Sequence, residues 1–213
     1  GVLTDDAEFW ETHRIGRFWG PWFYKYVQEF LSSSQTYSEY IPLRDYYHRH
    51  TRSLFWEMED IIPFGHTLPF RVLLGWLVPP KISFLKLTTP QQLHELHEKK
   101  HIIEDYLVPI DKLSETLDLQ DKIIGFYPLW LCPCKILKTE PRGLVNPIGK
   151  DEMYVDVGIY GVPPSARPEN GDTFDYLSCH KNAESYVRSI GGFQALYAQT
   201  YQSREEFREM FDQ

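Results

Sequence analysis

The sequence YVDVGIYG at residues 154–161 predicts a β-strand. Its Tyr, Val and Ile side chains alternate with Asp and Gly, and a period of two places successive side chains on opposite faces of a strand. Loops rich in Pro, Gly and Asn flank it at residues 139–151 and 161–172. We therefore interpret this segment as one strand of a sheet, bounded by loops on both sides.

The rest of the chain divides into helices and strands by the same periodicity and by capping residues. Thr89 and Gln92 form a capping box ahead of one helix, and Ser203 and Glu206 form another ahead of the last helix. Extended structure is predicted at residues 37–52, 125–132 and 193–200. Helices are predicted at residues 22–33, 53–62, 90–107, 109–119, 176–189 and 204–212. The mixture predicts an α+β fold, and no repeat or change in composition divides the chain into two domains.

The composition is typical of a folded protein that does not bind nucleic acid. Of 213 residues, 42% are hydrophobic, which is enough to form a core and excludes disorder. Lys and Arg number 22 against 30 Asp and Glu, so the formal net charge is −8. Neutralising phosphates requires the opposite balance, and no nucleic-acid partner is expected.

The most apolar stretch, residues 68–87, is too short to span a bilayer. Basic residues interrupt it, and its longest uncharged run is residues 72–80, whereas a transmembrane helix needs roughly 20 apolar residues. Two interpretations remain open. The segment is buried between two elements, or residues 72–74 and 76–78 contact a membrane surface.

The three cysteines are too few for a disulfide framework. Cys132 and Cys134 alternate on an apolar run, which is typical of thiols buried on a strand. The chain has no Asn-x-Ser/Thr acceptor with a non-proline centre. Together these features favour a reducing, cytosol-facing location.

The sequence HEKKH at residues 97–101 matches a pattern in which two histidines one helical turn apart bind zinc. Two adjacent lysines do not favour a dication, and no third ligand is evident. We interpret the match as a charged helix surface and expect no metal.

The segment PLRDYYHRHTRS at residues 42–53 is dense in groups that titrate near neutral pH. In an extended chain Tyr46, His48 and His50 share one face and offer a proton donor. Its arginines suit a phosphate or a carboxylate. The alternative is a solvated strand with cross-strand pairs.

Aromatic residues concentrate in three segments, residues 55–65, 75–87 and 126–133. Their tryptophans suit a pocket for a large apolar ligand, although an ordinary aromatic core predicts the same residues. The chain has no GxGxxG, P-loop, GxSxG or EF-hand motif. A phosphate cradle for a nucleotide cofactor is therefore not expected within this chain.

Long ordered segments of the chain resemble the Δ24-sterol reductases, also called 24-dehydrocholesterol reductases or the Diminuto family. The resemblance runs nearly from end to end and is far more specific than any short motif. It is carried by GVLTDD at 1–6, EYIPLRDYYHRHTRSLFWEMEDIIPFG at 39–65, GWLVPPKISFLKLT at 75–88, YPLWLCP at 127–133, YVDVGIYG at 154–161 and GGFQALYAQTYQSREEFREMFD at 191–212.

The resemblance implies an FAD enzyme of the vanillyl-alcohol-oxidase type, in which a cap-like α+β domain covers a separate flavin-binding domain. Residues 1–213 correspond to the cap, with a largely antiparallel sheet and helices packed on one face. The implied reaction is NADPH-dependent reduction of the sterol side-chain double bond at position 24, at the cytosolic face of the endoplasmic reticulum membrane. Without the flavin-binding domain, the chain alone is expected to be inactive.

The resemblance also directs three hypotheses about site residues. His48 or His50, relayed through Tyr46, is the expected proton donor. Contacts to flavin phosphate or substrate hydroxyl are expected from Arg49, Arg52 and Lys81. The sterol channel is expected to be lined by Phe55, Trp56, Trp76, Tyr127 and Trp130. Two other function classes remain, a non-catalytic module that binds sterols or proteins and a zinc hydrolase.

Overall fold

The computed structural model describes residues 3–5, 7–8, 11–32, 36–79, 101–139, 143–147, 152–167 and 173–211. The chain divides into two compact units, residues 1–89 and residues 90–213. The assignment of residues 1–213 to one cap-like domain stays a prediction.

The first unit is built from short helices. They are α1 (Phe23–Gln28), α2 (Leu43–Tyr47), α3 (Glu57–Ile61) and α4 (Leu68–Leu74), followed by a 3₁₀ turn at Gly75–Leu77. Its small core contains Trp22, Trp56, Met58 and Val78. Gly65 is required beside Trp22, because a Cβ there would lie 2.8 Å from the indole ring.

The predicted extended structure at residues 37–52 is wrong. Pro42 precedes α2, Asp45 lies in the first turn of that helix, and an acidic residue there complements the helix dipole. Turns continue from residue 48 to residue 56, and Leu54 and Phe55 have positive φ angles of 44° and 62°. The alternating aromatic residues therefore reflect local turns rather than a pleated strand.

The second unit contains a four-stranded antiparallel sheet with the order β2-β3-β1-β4. Its strands are β1 (Ile102–Pro109), β2 (Trp130–Ile136), β3 (Glu152–Gly161) and β4 (Phe193–Gln194). The prediction of an α+β fold with an antiparallel sheet is confirmed. The strand predicted at residues 154–160 is present as β3.

Three predicted boundaries are corrected by the sheet. The predicted helix at 90–107 is wrong from residue 102 onward, where β1 lies, and residues 90–100 fall outside the described ranges. Glu104 interrupts the apolar alternation of β1, yet it is buried against partners that only tertiary contacts supply. The strand predicted at 125–132 begins at Trp130, and the strand predicted at 193–200 ends at Gln194.

In the described part of the second unit, three helices accompany the sheet, α5 (Leu113–Ile123), α6 (Tyr176–Ser189) and α7 (Arg204–Phe211), with 3₁₀ turns at Ile110–Lys112 and Pro164–Ala166. Helix α6 has the predicted bounds. The capping box of α7 is confirmed, because the Ser203 backbone N–H donates to Glu206 over 2.8 Å and the Glu206 N–H donates to Ser203 Oγ over 3.2 Å.

One face of the sheet forms the core of the second unit. The buried residues Ile102, Tyr106 and Val108 of β1 and Val155, Val157 and Ile159 of β3 cluster with Cys179, Ala183 and Val187 of α6. Each fully buried aliphatic side chain contributes about 1.5–3 kcal/mol relative to leaving it exposed. The opposite face of the sheet carries the polar residues described next.

Candidate functional site

The face of the sheet opposite the α6 core brings together polar side chains from three strands. The register pairs Asp105 of β1 with Gly158 of β3, and it pairs Asp156 of β3 with Cys132 of β2. Paired residues point to the same side of an antiparallel sheet. We call this surface the polar face; it carries Asp105, Asp156, Tyr160, Trp130 and Cys132.

Asp105 is held by two phenols on the polar face. Tyr160 OH donates to Asp105 Oδ1 over 2.5 Å, and Tyr197 OH donates to Asp105 Oδ2. Asp105 is only 9% exposed. Burial and the hydrogen bond to Asp105 raise the pKa of Tyr160 and of Tyr197 well above its ordinary range. The phenols therefore stay protonated and hold Asp105 in one position.

Gly158 makes room for this arrangement. A Cβ at residue 158 would lie 2.6 Å from Asp105 Oδ1 and 2.6 Å from the Tyr160 hydroxyl oxygen. Such distances are far inside van der Waals contact, so the pair of Asp105 and Tyr160 requires glycine at the cross-strand position.

Asp156 is the second carboxyl of the polar face. Burial, with a smaller contribution from Asp105, raises the pKa of Asp156 to about 6. Its Oδ1 atom is shielded from solvent and has no hydrogen-bond partner in the part of the chain that the structure describes. Asp156 thus differs from Asp105, whose two oxygens both accept hydrogen bonds.

A buried polar network on the other side of the sheet positions the segment that carries Tyr197. Glu104 Oε1 lies 3.2 Å from His180 Nδ1 of α6, and Gln194 Nε2 donates to Glu104 Oε2 over 2.9 Å. Beyond Tyr197, the Tyr201 backbone N–H donates to Glu184 Oε1 over 2.8 Å. These contacts fix both ends of residues 194–201, and the polar face therefore depends on a core network.

Curated relatives match all or nearly all of the chain. A rat Delta(24)-sterol reductase is 51% identical over 213 residues, covering 100% of this chain and 40% of the relative. The Delta(24)-sterol reductase homologue of Caenorhabditis elegans is 46% identical over 198 residues, and the Delta(24)-sterol reductase of Arabidopsis thaliana is 37% identical over 212 residues. The chain is thus similar over its whole length to one part of the Δ24-sterol reductases.

The chain spans about 40% of the length of the mammalian Δ24-sterol reductases that it matches. No profile of a described protein family matches it. No solved structure matches it significantly.

The three predicted proton-donor residues do not share a strand face. Tyr46 lies in the last turn of α2 and is exposed, and its ring contacts the Arg49 guanidinium at 4.2 Å. His48 is exposed at the end of the same helix. His50 stacks on Phe55 at 4.8 Å between ring centroids, and burial lowers the pKa of His50 to about 4. The shared-face argument is therefore wrong, and the catalytic roles stay predictions.

The residues predicted to contact the cofactor also lie in different environments. Arg52 donates to the carbonyl oxygens of Gly16 over 2.7 Å and Gly75 over 3.4 Å, which ties together two loops of the first unit. Arg49 donates to the Tyr46 carbonyl oxygen over 2.8 Å. Lys81 lies outside the described residues. A cofactor role for these three residues stays a prediction.

The predicted sterol-channel residues lie in different settings. Phe55 is half-buried, Trp56 is buried in the core of the first unit, and Trp76 is 63% exposed. In the second unit Tyr127 is exposed, whereas Trp130 is half-buried on the polar face opposite Gly158. The channel assignment stays a prediction.

Sequence reasoning missed Asp105, Asp156, Tyr160 and Tyr197. Asp156 had a readable signal, because it is an acidic residue within the apolar strand pattern of YVDVGIYG. Asp105 and Tyr197 had none, since 92 positions of sequence separate them.

The structure gives no support to a zinc hydrolase. Across the described ranges, no group of three or more His, Cys, Asp or Glu residues could hold a metal ion. Residues 97–100 of the HEKKH match lie outside those ranges. Cys132, Cys134 and Cys179 are all free thiols. Cys132 and Cys134 alternate on a strand as predicted, but they are half-buried rather than buried.

Proposed function

We propose that this chain is the substrate-covering part of an FAD- and NADPH-dependent sterol reductase that reduces the side-chain double bond at position 24, as in the conversion of desmosterol to cholesterol. The observation that carries the proposal is the identity of 51% over the whole chain to a Delta(24)-sterol reductase. The proposal places the protein in sterol biosynthesis.

The chemistry of the reaction requires an acid, and the polar face offers one. An isolated double bond is poorly electrophilic, so one carbon must receive a proton while the other receives a hydride equivalent. The acid must lie in a site from which water is excluded. Carboxyls and phenols on a half-buried sheet face support this role for the second unit.

The predicted phosphate contacts that the structure describes already donate to backbone carbonyl oxygens. Arg52, for example, donates to two backbone carbonyl oxygens of its own unit. The sequence also has no glycine-rich dinucleotide motif. We therefore place the flavin mainly on a domain outside this chain, with NADPH as the reductant, and we expect the chain alone to be inactive.

An exposed apolar surface supports a location at the cytosolic face of the endoplasmic reticulum membrane. Val72, Leu73 and Trp76 are 52%, 70% and 63% exposed, and Leu68 and Leu77 extend the same surface. We call these five residues the apolar surface. Within the described ranges, no helix is long and apolar enough to cross a membrane. A sterol substrate resides in the bilayer, so a peripheral contact of this kind would bring the site to it.

The test uses the full-length protein, purified with its flavin. It receives NADPH and desmosterol, and mass spectrometry follows the sterol product. We expect a mass gain of two hydrogens that requires both flavin and NADPH. Binding of desmosterol without any product, by flavin-loaded and folded protein, would overturn the proposal in favour of a non-catalytic sterol-binding module.

A further inference from the structure

Two carboxyls on the polar face have unequal hydrogen-bonding environments. Asp105 accepts from Tyr160 and from Tyr197, one phenol for each carboxylate oxygen. Asp156 lies two residues along β3 from Gly158, opposite Leu107, and is therefore a diagonal cross-strand neighbour of Asp105 on the same face. Its Oδ1 atom is shielded from solvent and lacks a hydrogen-bond partner among the residues that the structure describes.

This asymmetry decides which carboxyl carries a proton. Two like charges in a poorly solvated site do not both ionise, and donated hydrogen bonds favour the ionised form of the group that accepts them. Asp156, whose Oδ1 atom lacks such a donor in the described part of the chain, is therefore the carboxyl of the polar face that holds a proton up to a pH near 6. The raised pKa of Asp156, about 6, agrees with this assignment and makes the proton transferable near neutral pH.

Among the residues that the structure describes, the titratable groups that face Asp156 do not neutralise its charge. They are Asp105 of β1, Cys132 and Cys134 of β2, and Tyr197 from the segment after β4. Burial and the Asp156 charge raise the pKa of the Cys134 thiol. Tyr160, which holds Asp105, completes the set.

We propose that Asp156 is the acid that protonates the substrate double bond, and that Asp105, held by Tyr160 and Tyr197, is the positioning residue that keeps the proton on Asp156. This inference rests on the function proposed above. The O–H bond of Asp156 breaks, and the alkene π electrons form a C–H bond with that proton. The hydride equivalent that the other carbon needs would be supplied by a reduced flavin bound outside this chain. Asp156 is left as a carboxylate and regains its proton from water.

The decisive variant is Asp156→Asn in the full-length, flavin-loaded protein. Single-turnover experiments measure flavin reduction by NADPH and flavin reoxidation by desmosterol separately. We expect reoxidation to slow by about 10²–10⁴-fold, the usual contribution of a general acid, while reduction by NADPH and the Kd for desmosterol stay unchanged. In the wild-type protein the reoxidation rate should fall as pH rises through the pKa of Asp156.

Two further variants separate chemistry from structure. Asp118→Asn removes an exposed carboxylate of α5 and is expected to leave reoxidation unchanged. Asp105→Asn removes the like charge beside Asp156, so the fall in rate should move to lower pH. An independent readout is the infrared carbonyl band of a protonated carboxyl, which should titrate near pH 6 in the wild-type protein and be missing in Asp156→Asn.

The outcomes are distinguishable. If the wild-type protein does not reduce desmosterol, the proposed function fails and the inference fails with it. If wild-type and Asp156→Asn proteins reoxidise at equal rates with the same pH profile, the inference alone fails. Loss of reoxidation in Cys132→Ser, with Asp156→Asn unaffected, would assign the proton to the neighbouring thiol and also overturn it.

Discussion

His50 illustrates how packing changes the acidity of a single side chain. Its imidazole stacks on Phe55 and makes an edge contact with Phe23 at 5.5 Å, within a half-buried turn. Burial, and to a smaller extent the nearby Arg49 charge, lowers the pKa of His50 to about 4. A histidine that is neutral at pH 7 is a poor proton donor there, which is unfavourable for the role that the sequence suggested.

We predict that the ring protons of His50 titrate near pH 4 in the folded protein. Two-dimensional NMR of the imidazole resonances measures this, with His48, which is exposed, as the comparison within the same spectrum. Because the folded-state pKa lies below the ordinary value of 6.5, the contribution of His50 to stability is present above pH 6.5 and is lost as pH falls through 4. A titration midpoint near 6.5 would contradict the packing described for this turn.

Asp156 makes stability depend on pH in a different range. Its folded-state pKa of about 6 lies above its ordinary value of 3.8, so the protonated form favours the fold. This stabilisation is complete below about pH 3.8 and is lost as pH rises through 6. We predict that Asp156→Asn raises the free energy of unfolding at pH 8 relative to the wild-type protein.

The expected gain at pH 8 is about 1–2 kcal/mol. The difference between the two pKa values corresponds to roughly 3 kcal/mol at most, and solvent screening of a half-exposed carboxyl reduces it. Denaturant unfolding at pH 8 and at pH 4 measures the gain, which should disappear at pH 4. The matched control Asp118→Asn should show no such dependence, and an equal gain in both variants would contradict the prediction.

At the scale of elements, helix α7 depends on its capping box. Ser203 and Glu206 exchange two hydrogen bonds, and Glu206 Oε1 also lies 3.0 Å from Arg188 Nη2 of α6. The cap satisfies backbone donors that have no partner inside the helix. Met210 and Phe211 at the far end of α7 are buried, so fraying of the helix would expose core surface.

We predict that Ser203→Ala lowers the free energy of unfolding by about 1 kcal/mol, the usual cost of losing an N-cap. Thermal or denaturant unfolding measures the change. Ser114→Ala, at an exposed position in α5, is the matched control and should lie within about 0.5 kcal/mol of the wild-type protein. Equal stability of the two variants would mean that the capping box does not hold α7 in solution.

At the scale of the whole molecule, the apolar surface of the first unit predicts peripheral membrane binding. Exposed apolar side chains on one short helix and its following turn suit the interfacial region of a bilayer, where tryptophan is favoured. We expect Val72→Glu with Leu73→Glu to reduce co-sedimentation of the full-length protein with phosphatidylcholine vesicles by at least about tenfold.

The matched control is Leu177→Glu, which places the same charge at a leucine of α6 that is 47% exposed. This control should bind vesicles like the wild-type protein. All three positions are exposed, so their substitution is expected to cost little stability. Unchanged vesicle binding by the double variant, with full retention of its fold, would remove the apolar surface as a membrane contact.

The sequence by itself determined the features that depend on residues close together along the chain. Its long ordered segments also established the resemblance to a known family. The alternation in YVDVGIYG specifies β3, the periodic run before Gly191 specifies α6, and Ser203 with Glu206 specifies the start of α7. These signals lie within one element, where spacing alone decides which side chains share a face. The resemblance to Δ24-sterol reductases was also readable directly from the residues.

Only the tertiary structure decided which distant side chains meet. β1 was misassigned because Glu104 and Asp105 look like the solvated face of a helix, whereas His180, Gln194 and two tyrosines satisfy them in the fold. Burying a carboxyl is costly unless it finds hydrogen-bond donors, and those donors come from residues 55 to 92 positions away. Strand pairing supplies such partners, and no local pattern in the sequence encodes which ones they are.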